Sequence, residues 1–360
     1  MKIYDIAFVG MGASALGTYK LKYHNQACSI IGIDKNFNSP RDNFFAFWMT
    51  DWMSPFKNLI KNQWIKWEFY YQQQKITHES IISPYCVIRY QDWKKFCLEE
   101  THNISFKENN VSKIKKNNDF FEITLDNQEK VYSKKIYDSR SVAMENDGLK
   151  QHFIGNIISI EEAHQIKNAR LMDFRVTQDQ GLHFIYLLPL DDTRLLVEST
   201  VFSKFLLDSR WYQNQISTYV ENNLGIKKYE IIDTEQGVLP MFEVNSQNDD
   251  NYIQIGAKGG ATKISSGYAF SFFLKQLTSE KSDYHSYWDK WMDKIFVKYL
   301  ENNSKSDEIF MKMAKKLSGE EFGSFMMGNA KFSTKLKTIF AMPKIGFLKS
   351  FINSTLSKNV

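Results

Sequence analysis

Glu198 is a carboxylate set in an apolar strand. Residues 171–202 read LMDFRVTQDQGLHFIYLLPLDDTRLLVESTVF. Polar turns at 178–181 and 191–193 predict two or three antiparallel strands there. Side chains alternate along a strand, so Leu196, Glu198 and Thr200 share one face. A carboxyl taken out of water has its pKa raised. One that keeps its proton near neutral pH can serve as a general acid. Spacing alone favours a plainer reading, an ordinary charge on the wet face of a half-buried sheet.

A second constellation binds rather than reacts. Gly10-Met11-Gly12-Ala13-Ser14-Ala15 reads GxGxxA, directly after an apolar strand and before a helix. The first glycine permits the tight turn. The second lets backbone N–H groups approach a pyrophosphate, which the helix N-terminus also favours. Small residues at Ala15 and Gly17 let helix and strand pack closely. Asp34 ends the next strand, 24 residues after Gly10, where a carboxylate accepts hydrogen bonds from an adenosine ribose. An acid there disfavours a 2′-phosphate, so FAD or NAD is preferred over NADP. Later, Tyr252 to Gly260 carries Gly256, Gly259 and Gly260, and Ser265-Ser266-Gly267-Tyr268 leads into a helix. This resembles the late flavin-contacting motif of FAD proteins. Backbone N–H groups at that helix start suit negative charge on a reduced flavin. The plainer alternative is a glycine turn that only lets helix and sheet pack.

These residues need a scaffold. The N-terminal order strand, glycine turn, helix, strand is a βαβ unit over residues 4–34. Residues 40–80 mix strand and loop, and a helix starts at Gln91 or Asp92 and runs to Glu100. Residues 103–137 alternate as short strands. Residues 150–245 read as strand and turn with a helix near 209–222, and helical periodicity dominates from about 283. The expected fold class is α/β: a Rossmann-type FAD-binding domain (1–160 and 251–280), an inserted and mostly antiparallel β-sheet substrate domain (161–250), and a helical C-terminal region (281–360).

Composition narrows the field. Charged residues at 24% and hydrophobic residues at 43% suit a folded globular chain. A net charge of +5 is too small to argue for nucleic acid without a patch. Cys28, Cys86 and Cys97 show no CxxC spacing, and the seven histidines show no HExxH, so no metal or disulfide framework is expected. A reducing, cytosolic setting fits. The N-terminus faintly mimics a signal peptide, but Asp5 and the glycines fit the nucleotide motif better. No apolar run has transmembrane length. Residues 331–360 carry six lysines and no acid, with Phe332, Leu336, Ile339 and Phe340 at helical spacing and Pro343 and Gly346 as interruptions. Such a segment either lies on anionic lipid or docks on the protein with a solvated basic side.

Several motifs together resemble the flavin-dependent lycopene cyclases, which make carotenoid rings. Met172-Asp173, the run from Phe184 through Tyr186 to Pro189, and Leu195 to Thr200 match the family's central signature. Thr234 to Pro240 is similar to its Glu-x-Gly-x-(Leu/Ile)-Pro motif, and Ser265 to Tyr268 to its Ser/Thr-Gly-Tyr stretch. Asp42 to Trp48 matches an Asn/Asp-x-Thr-Trp-x-Phe-Trp region, with Phe44 and Phe45 replacing Thr-Trp. The resemblance covers nearly the whole chain and is specific in 171–202, 234–241 and 252–270.

The resemblance implies a chemistry. Glu198 takes the place of the family's acid, with Asp173 and Glu235 as candidates to tune it or to accept the released proton. Phe47, Trp48 and Tyr186 become walls of the flavin or polyene site. Reduced FAD is the implied cofactor, with NAD(P)H as external reductant. Lycopene or a related acyclic carotene is the implied substrate, cyclised without net redox change by a peripheral enzyme on the cytoplasmic side of a membrane. Two rivals remain at this level. One is a flavin monooxygenase or halogenase, although the halogenase Trp-x-Trp-x-Ile-Pro motif is missing and Gly256-Ala257 replaces the hydroxylase Gly-Asp. The other is a carotenoid carrier without catalysis.

Overall fold

The computed structural model describes residues 1–40, 42–144, 148–278, 285–302, 306–344 and 346–347. Strands β1 (Ile3–Val9), β2 (Ile30–Asp34), β3 (Phe44–Trp48), β4 (Asn62–Trp64), β5 (Lys66–Tyr71), β6 (Gln74–Glu79) and β7 (Tyr85–Arg89) come first. Helix α1 (Ala13–Thr18) continues as a π turn over Tyr19–Tyr23 and connects β1 to β2, and α2 (Tyr90–Leu98) follows β7. Then come β8 (Ile104–Glu108), β9 (Val111–Lys116), β10 (Phe121–Leu125), β11 (Lys130–Asp138), β12 (Lys150–Ser159), β13 (Ala169–Asp173), β14 (Leu182–Pro189) and β15 (Arg194–Ser203). After α3 (Ser209–Asn222) follow β16 (Glu230–Pro240) and β17 (Tyr252–Gln254). The remainder is helical: α4 (Phe270–Thr278), α5 (Tyr287–Asn302), α6 (Asp307–Lys316), α7 (Gly319–Met326) and α8 (Phe332–Ala341).

The first sheet runs β8-β2-β1-β11-β10-β9, with β17 added on β11. Its β8, β2, β1, β11 and β17 members are parallel, and β9 and β10 form an antiparallel extension. Parallel strands covered on both faces must be apolar almost throughout. β1 and β2 comply, with Ala7, Phe8, Val9, Ile31 and Ile33 nearly inaccessible. Helix α1 lies close because Gly17 has no side chain: a Cβ there would stand 2.9 Å from both Trp93 on α2 and Leu277 on α4. The N-terminal βαβ unit thus has the Rossmann form expected from the sequence.

The second sheet runs β16-β12-β15-β14-β13-β5-β6 and is antiparallel except for the β13–β5 pair. Helix α3 covers one face, packing Tyr212, Ile216, Tyr219 and Val220 on Ile154, Ile185, Leu187, Val197 and Val201. The other face joins the main core with Phe184, Leu196 and Phe202. There it meets α6, α7 and a small antiparallel sheet, β3-β7-β4. With both faces covered, β15 is buried from Leu195 through Phe202. An exposed strand face for Glu198 is therefore ruled out.

The domain limits differ from those expected. Strands β5 and β6, assigned from sequence to the cofactor domain, form one edge of the second sheet, and β12 at 150–159 is its second strand from the other edge. A break at 160/161 would cut β12 from the β15 it pairs with over ten residues. Short, charged β6 carries no sequence mark of its sheet. The limit at 280/281 lies outside the described residues. Among the described residues, no helix is long and apolar enough to cross a membrane.

Candidate active site

The central feature is a line of three residues across three adjacent strands. Gly155 on β12 pairs with Glu198 on β15 and with Glu235 on β16. Strands lie about 4.8 Å apart, so the two glutamates start roughly 10 Å from one another. The bare glycine lies between them, with Leu196 beside it. A Cβ on Gly155 would stand 3.2 Å from Glu198 Cβ and 3.3 Å from Glu235 Cγ. Both glutamates are only 8% exposed.

Each carboxylate has a distinct partner. Thr200 Oγ1 donates to Glu198 Oε1 along the same strand face. The Phe44 backbone N–H donates to Glu235 Oε2 at 2.9 Å, which fixes β3 against β16. Burial first, and then the like charge of Glu235, push the Glu198 carboxyl up to about 8, against a lowering hydrogen bond from Thr200. A neutral carboxyl at physiological pH is the state a proton donor needs.

Above the pair sits a cluster of tyrosines. The Tyr85 hydroxyl lies 2.9 Å from that of Tyr186 and 3.2 Å from that of Tyr268. Tyr186 pairs with Glu198 across β14 and β15. Burial raises all three phenols well above their ordinary range, so they stay neutral. Trp48 packs on Tyr85 and Tyr268, with ring centroids 4.7 and 5.2 Å apart, and Phe47 stacks on Phe270 at 5.5 Å. Trp48 and Tyr186 therefore stand in the surroundings of Glu198, whereas Phe47, the preceding residue on β3, turns to the other face and meets Phe270 on α4. Sequence reasoning assigned no role to Tyr85 or Gly155. An isolated glycine inside a strand pattern is the sign of close approach that marks Gly155; Tyr85 has no such sign.

Asp173 does not join this group. It pairs with Ile185, on the α3 side of the sheet. Its carboxylate accepts from Arg175 Nε and Nη2 at 2.9 and 2.6 Å, and from the Tyr219 hydroxyl at 2.6 Å. The sheet lies between it and Glu198, so a direct part in tuning Glu198 or taking its proton is excluded by geometry. Strand alternation decides this, because the β13 register is hidden in the sequence.

The two glycine turns meet. Gly10 adopts φ +84°, and a Cβ would press on Ser139 and Arg140 at 3.0–3.2 Å. Gly12 has open space where its side chain would be, at the N-terminus of α1, whose Ser14 and Ala15 are buried. Ala13 carbonyl accepts from Trp93 Nε1 at 2.9 Å. Gly256, at φ +64°, lies so close to Ser14 that a Cβ would be 2.4 Å from its Oγ. A Cβ on Gly259 would press on the Gln254 carbonyl, and Gly260 takes the left-handed form at φ +75°. Asp34 caps the region, accepting from the backbone N–H groups of Met11 and Asn36 at 2.7 Å each.

A buried ion cluster missed by sequence reasoning pins the same edge of the first sheet. Burial would raise Asp138, but hydrogen bonds from Arg140 and Tyr252, with the charges of Arg140 and Lys258, hold it at about 2. This ties β11 to β17 just below the glycine turns.

These residues fit a dinucleotide carrying a polar ring. The space beside Gly12 and the acid at Asp34 suit a pyrophosphate and a ribose. Among the described residues, Gln151 Oε1 and Ser266 Oγ are buried without a hydrogen-bond partner, and Gln151 Oε1 lies 2.0 Å from where a Gly267 Cβ would stand. Buried polar atoms are nearly always paired, so this rim is ready for hydrogen bonds to a ligand. A cleft of about 880 Å³ beside Gly259, Gly260 and α5 includes neither Glu198 nor Gly12. It is set apart from the carboxylate pair.

The architecture is shared along almost its full length with a reductase-like protein and a flavin-dependent brominase. A geranylgeranyl bacteriochlorophyll reductase-like protein from Thermoplasma acidophilum superposes with a TM-score of 0.61 at 14% identity, covering 98% of this chain and 99% of that one. A flavin-dependent brominase superposes with a TM-score of 0.52 at 11% identity, covering 96% and 91%. At such identities the likeness is one of fold. Residues 5–282 match the family model described as lycopene cyclase protein. The chain belongs to the lycopene cyclase family. It is 24% identical over 284 residues to a lycopene beta-cyclase from Pantoea ananas, covering 74% of this chain and 71% of that protein.

Proposed function

We propose that this protein closes β-rings on lycopene, or on a related acyclic carotene, by acid-initiated cyclisation with no net redox change. The observation that carries the reading is Glu198, buried and kept neutral beside Glu235 on the apolar face of the sheet. In the proposed reaction Glu198 gives its proton to the terminal double bond. The next double bond attacks the resulting cation, forming one carbon–carbon bond and closing a six-membered ring. Loss of a proton from the carbon beside the new cation restores the olefin. One proton enters and one leaves, so the product is an isomer of the substrate and the enzyme an isomerase.

Glu235 is the acceptor we favour for the released proton, since it stands across Gly155 from the donor. Tightly packed Trp48, Tyr85 and Leu196 exclude the water that would trap a cation. The faces of Trp48, Tyr85 and Tyr268 offer negative quadrupoles to it. Gly10, Gly12 to Ala15 and Asp34 would hold the dinucleotide part of FAD. Gly256, Gly267, Gln151 and Ser266 would meet its ring. Reduced FAD, when bound, supplies an electron-rich ring that favours developing positive charge, and NAD(P)H is the proposed external reductant.

The substrate dissolves in lipid, and we place the protein at the cytoplasmic face of a membrane. In support, α8 exposes Phe332, Leu336, Ile339 and Phe340, and the start of α5 exposes Tyr287 and Trp288 beside them. Residues 345 and 348–360 of the basic segment lie outside the described residues.

Expression in a lycopene-accumulating host tests the reading. Cyclic carotene should form, and Glu198→Gln should reduce it by about two to four orders of magnitude with FAD still bound. Consumption of one NADPH and one oxygen per turnover would instead identify a monooxygenase.

A further inference from the structure

We infer that Gly155 is a positioning residue: its missing side chain lets the Glu198 and Glu235 carboxyls share a single proton across the central strand. The inference rests on the assignment of Glu198 as the acid and goes beyond it, to the residue that sets how strongly the acid holds its proton.

Three strands carry the geometry. Glu198, Gly155 and Glu235 are in register side by side. A residue and its two direct neighbours on adjacent strands project to the same face. Any side chain at 155 would therefore stand between the two glutamates. A methyl group would meet the Cβ of one, the Cγ of the other and Leu196 Cδ1 at 3.2–3.3 Å, closer than ordinary van der Waals contact. Glycine in a strand interior costs stability relative to alanine. Here the close packing of Glu198, Leu196 and Glu235 around residue 155 requires it, and the same absence of a side chain leaves the two glutamates facing one another.

Two carboxyls, Glu198 and Glu235, act on one another in a dry site. Groups facing Glu198 are Thr200 on its own strand, Glu235 on β16, Tyr186 on β14, Tyr85 on β7 and Tyr268 ahead of α4. The tyrosines are neutral. Glu235 takes a backbone N–H from Phe44, which favours its charged form. Two carboxylates in a dry site cannot both ionise cheaply, so one proton stays with the pair. The Phe44 N–H biases it towards Glu198. After the proton has gone to substrate, Glu235 stands ready to return one without recourse to bulk water.

The test is an infrared titration of the FAD-loaded protein, which follows the carbonyl band of the neutral Glu198 carboxyl. Glu198→Gln identifies the band. The wild-type band should persist to about pH 8, as should activity. In Gly155→Ala the methyl splays the carboxyls apart, their coupling weakens, and both limbs should move to lower pH by about one unit. Glu235→Gln should produce the same shift, and it keeps the question open to test if Gly155→Ala does not fold. A band and a pH profile unmoved by either substitution would overturn proton sharing, while leaving Glu198 as the acid. Cyclisation undiminished in Glu198→Gln would instead overturn the acid assignment, separately from the titration.

Discussion

Asp173 and Glu198 lie two strands apart in one sheet and point to opposite faces of it. Both are buried acids within the same family-like signature, yet only Glu198 faces the aromatic site. Asp173 instead anchors Arg175 and the Tyr219 hydroxyl beneath α3. Asp173→Asn should therefore act on stability. The expected loss is on the order of 2–3 kcal/mol, low in the range for a buried pair because Arg175 is 31% in solvent. Denaturant unfolding measures it. Cyclisation by the folded protein should keep its rate and pH profile; a moved pH profile would return Asp173 to the acid's circle.

Glu198 should make stability depend on pH. Its carboxyl is raised in the folded protein from 4.5 to about 8. The folded state thus binds the proton more tightly than the unfolded chain. That contribution is complete below about pH 4.5 and is lost as pH rises through about 8. Glu198→Gln removes the titration and keeps the shape. Melting curves should show the wild type losing ground to this variant as the buffer moves from about pH 6 to about pH 9. Parallel curves would mean that Glu198 is ionised throughout that range.

Gly10 and Gly12 should fail in different ways. Gly10 is held at φ +84° against Ser139 and Arg140, so Gly10→Val strains the backbone and destabilises the fold. Gly12 has φ −70° and ψ −177°, which any residue adopts, and open space at its Cβ. Gly12→Val should fold normally and purify with little flavin, because its side chain fills the phosphate cradle. Flavin absorbance per protein reads this directly, with circular dichroism as the control. Full flavin content in Gly12→Val would place the cofactor elsewhere.

Membrane contact should depend on two helices together. Phe340 is 68% exposed on α8, and Trp288 on α5 meets Phe332 with ring centroids 5.9 Å apart. Phe340→Glu with Trp288→Glu should cut sedimentation with anionic vesicles at least several-fold and leave the melting temperature near that of the wild type. Equal binding by the double variant would assign this face to another role.

Much of the cofactor half was legible because its signals are local. Gly10, Gly12 and Asp34 are constrained by turn and strand geometry within one βαβ unit, and the helix at 209–222 declares itself by periodicity. Glu198 could be singled out by type and motif, but its dryness could not. Leu196, Glu198 and Thr200 share a face in any strand. Whether that face meets water depends on helices α6 and α7, more than 100 residues later in the chain.

Local signals in the chain supplied the chemical vocabulary: a glycine turn, an acid at the end of β2, and a glutamate among leucines. Tertiary structure decided which words stand together. Pairing of β12 with both β15 and β16 set Gly155 between Glu198 and Glu235, and the register of β13 turned Asp173 away. The reason is the strand's period of two. A single step in pairing moves a side chain from one face of a sheet to the other, and that step is fixed by contacts between residues far apart in the chain.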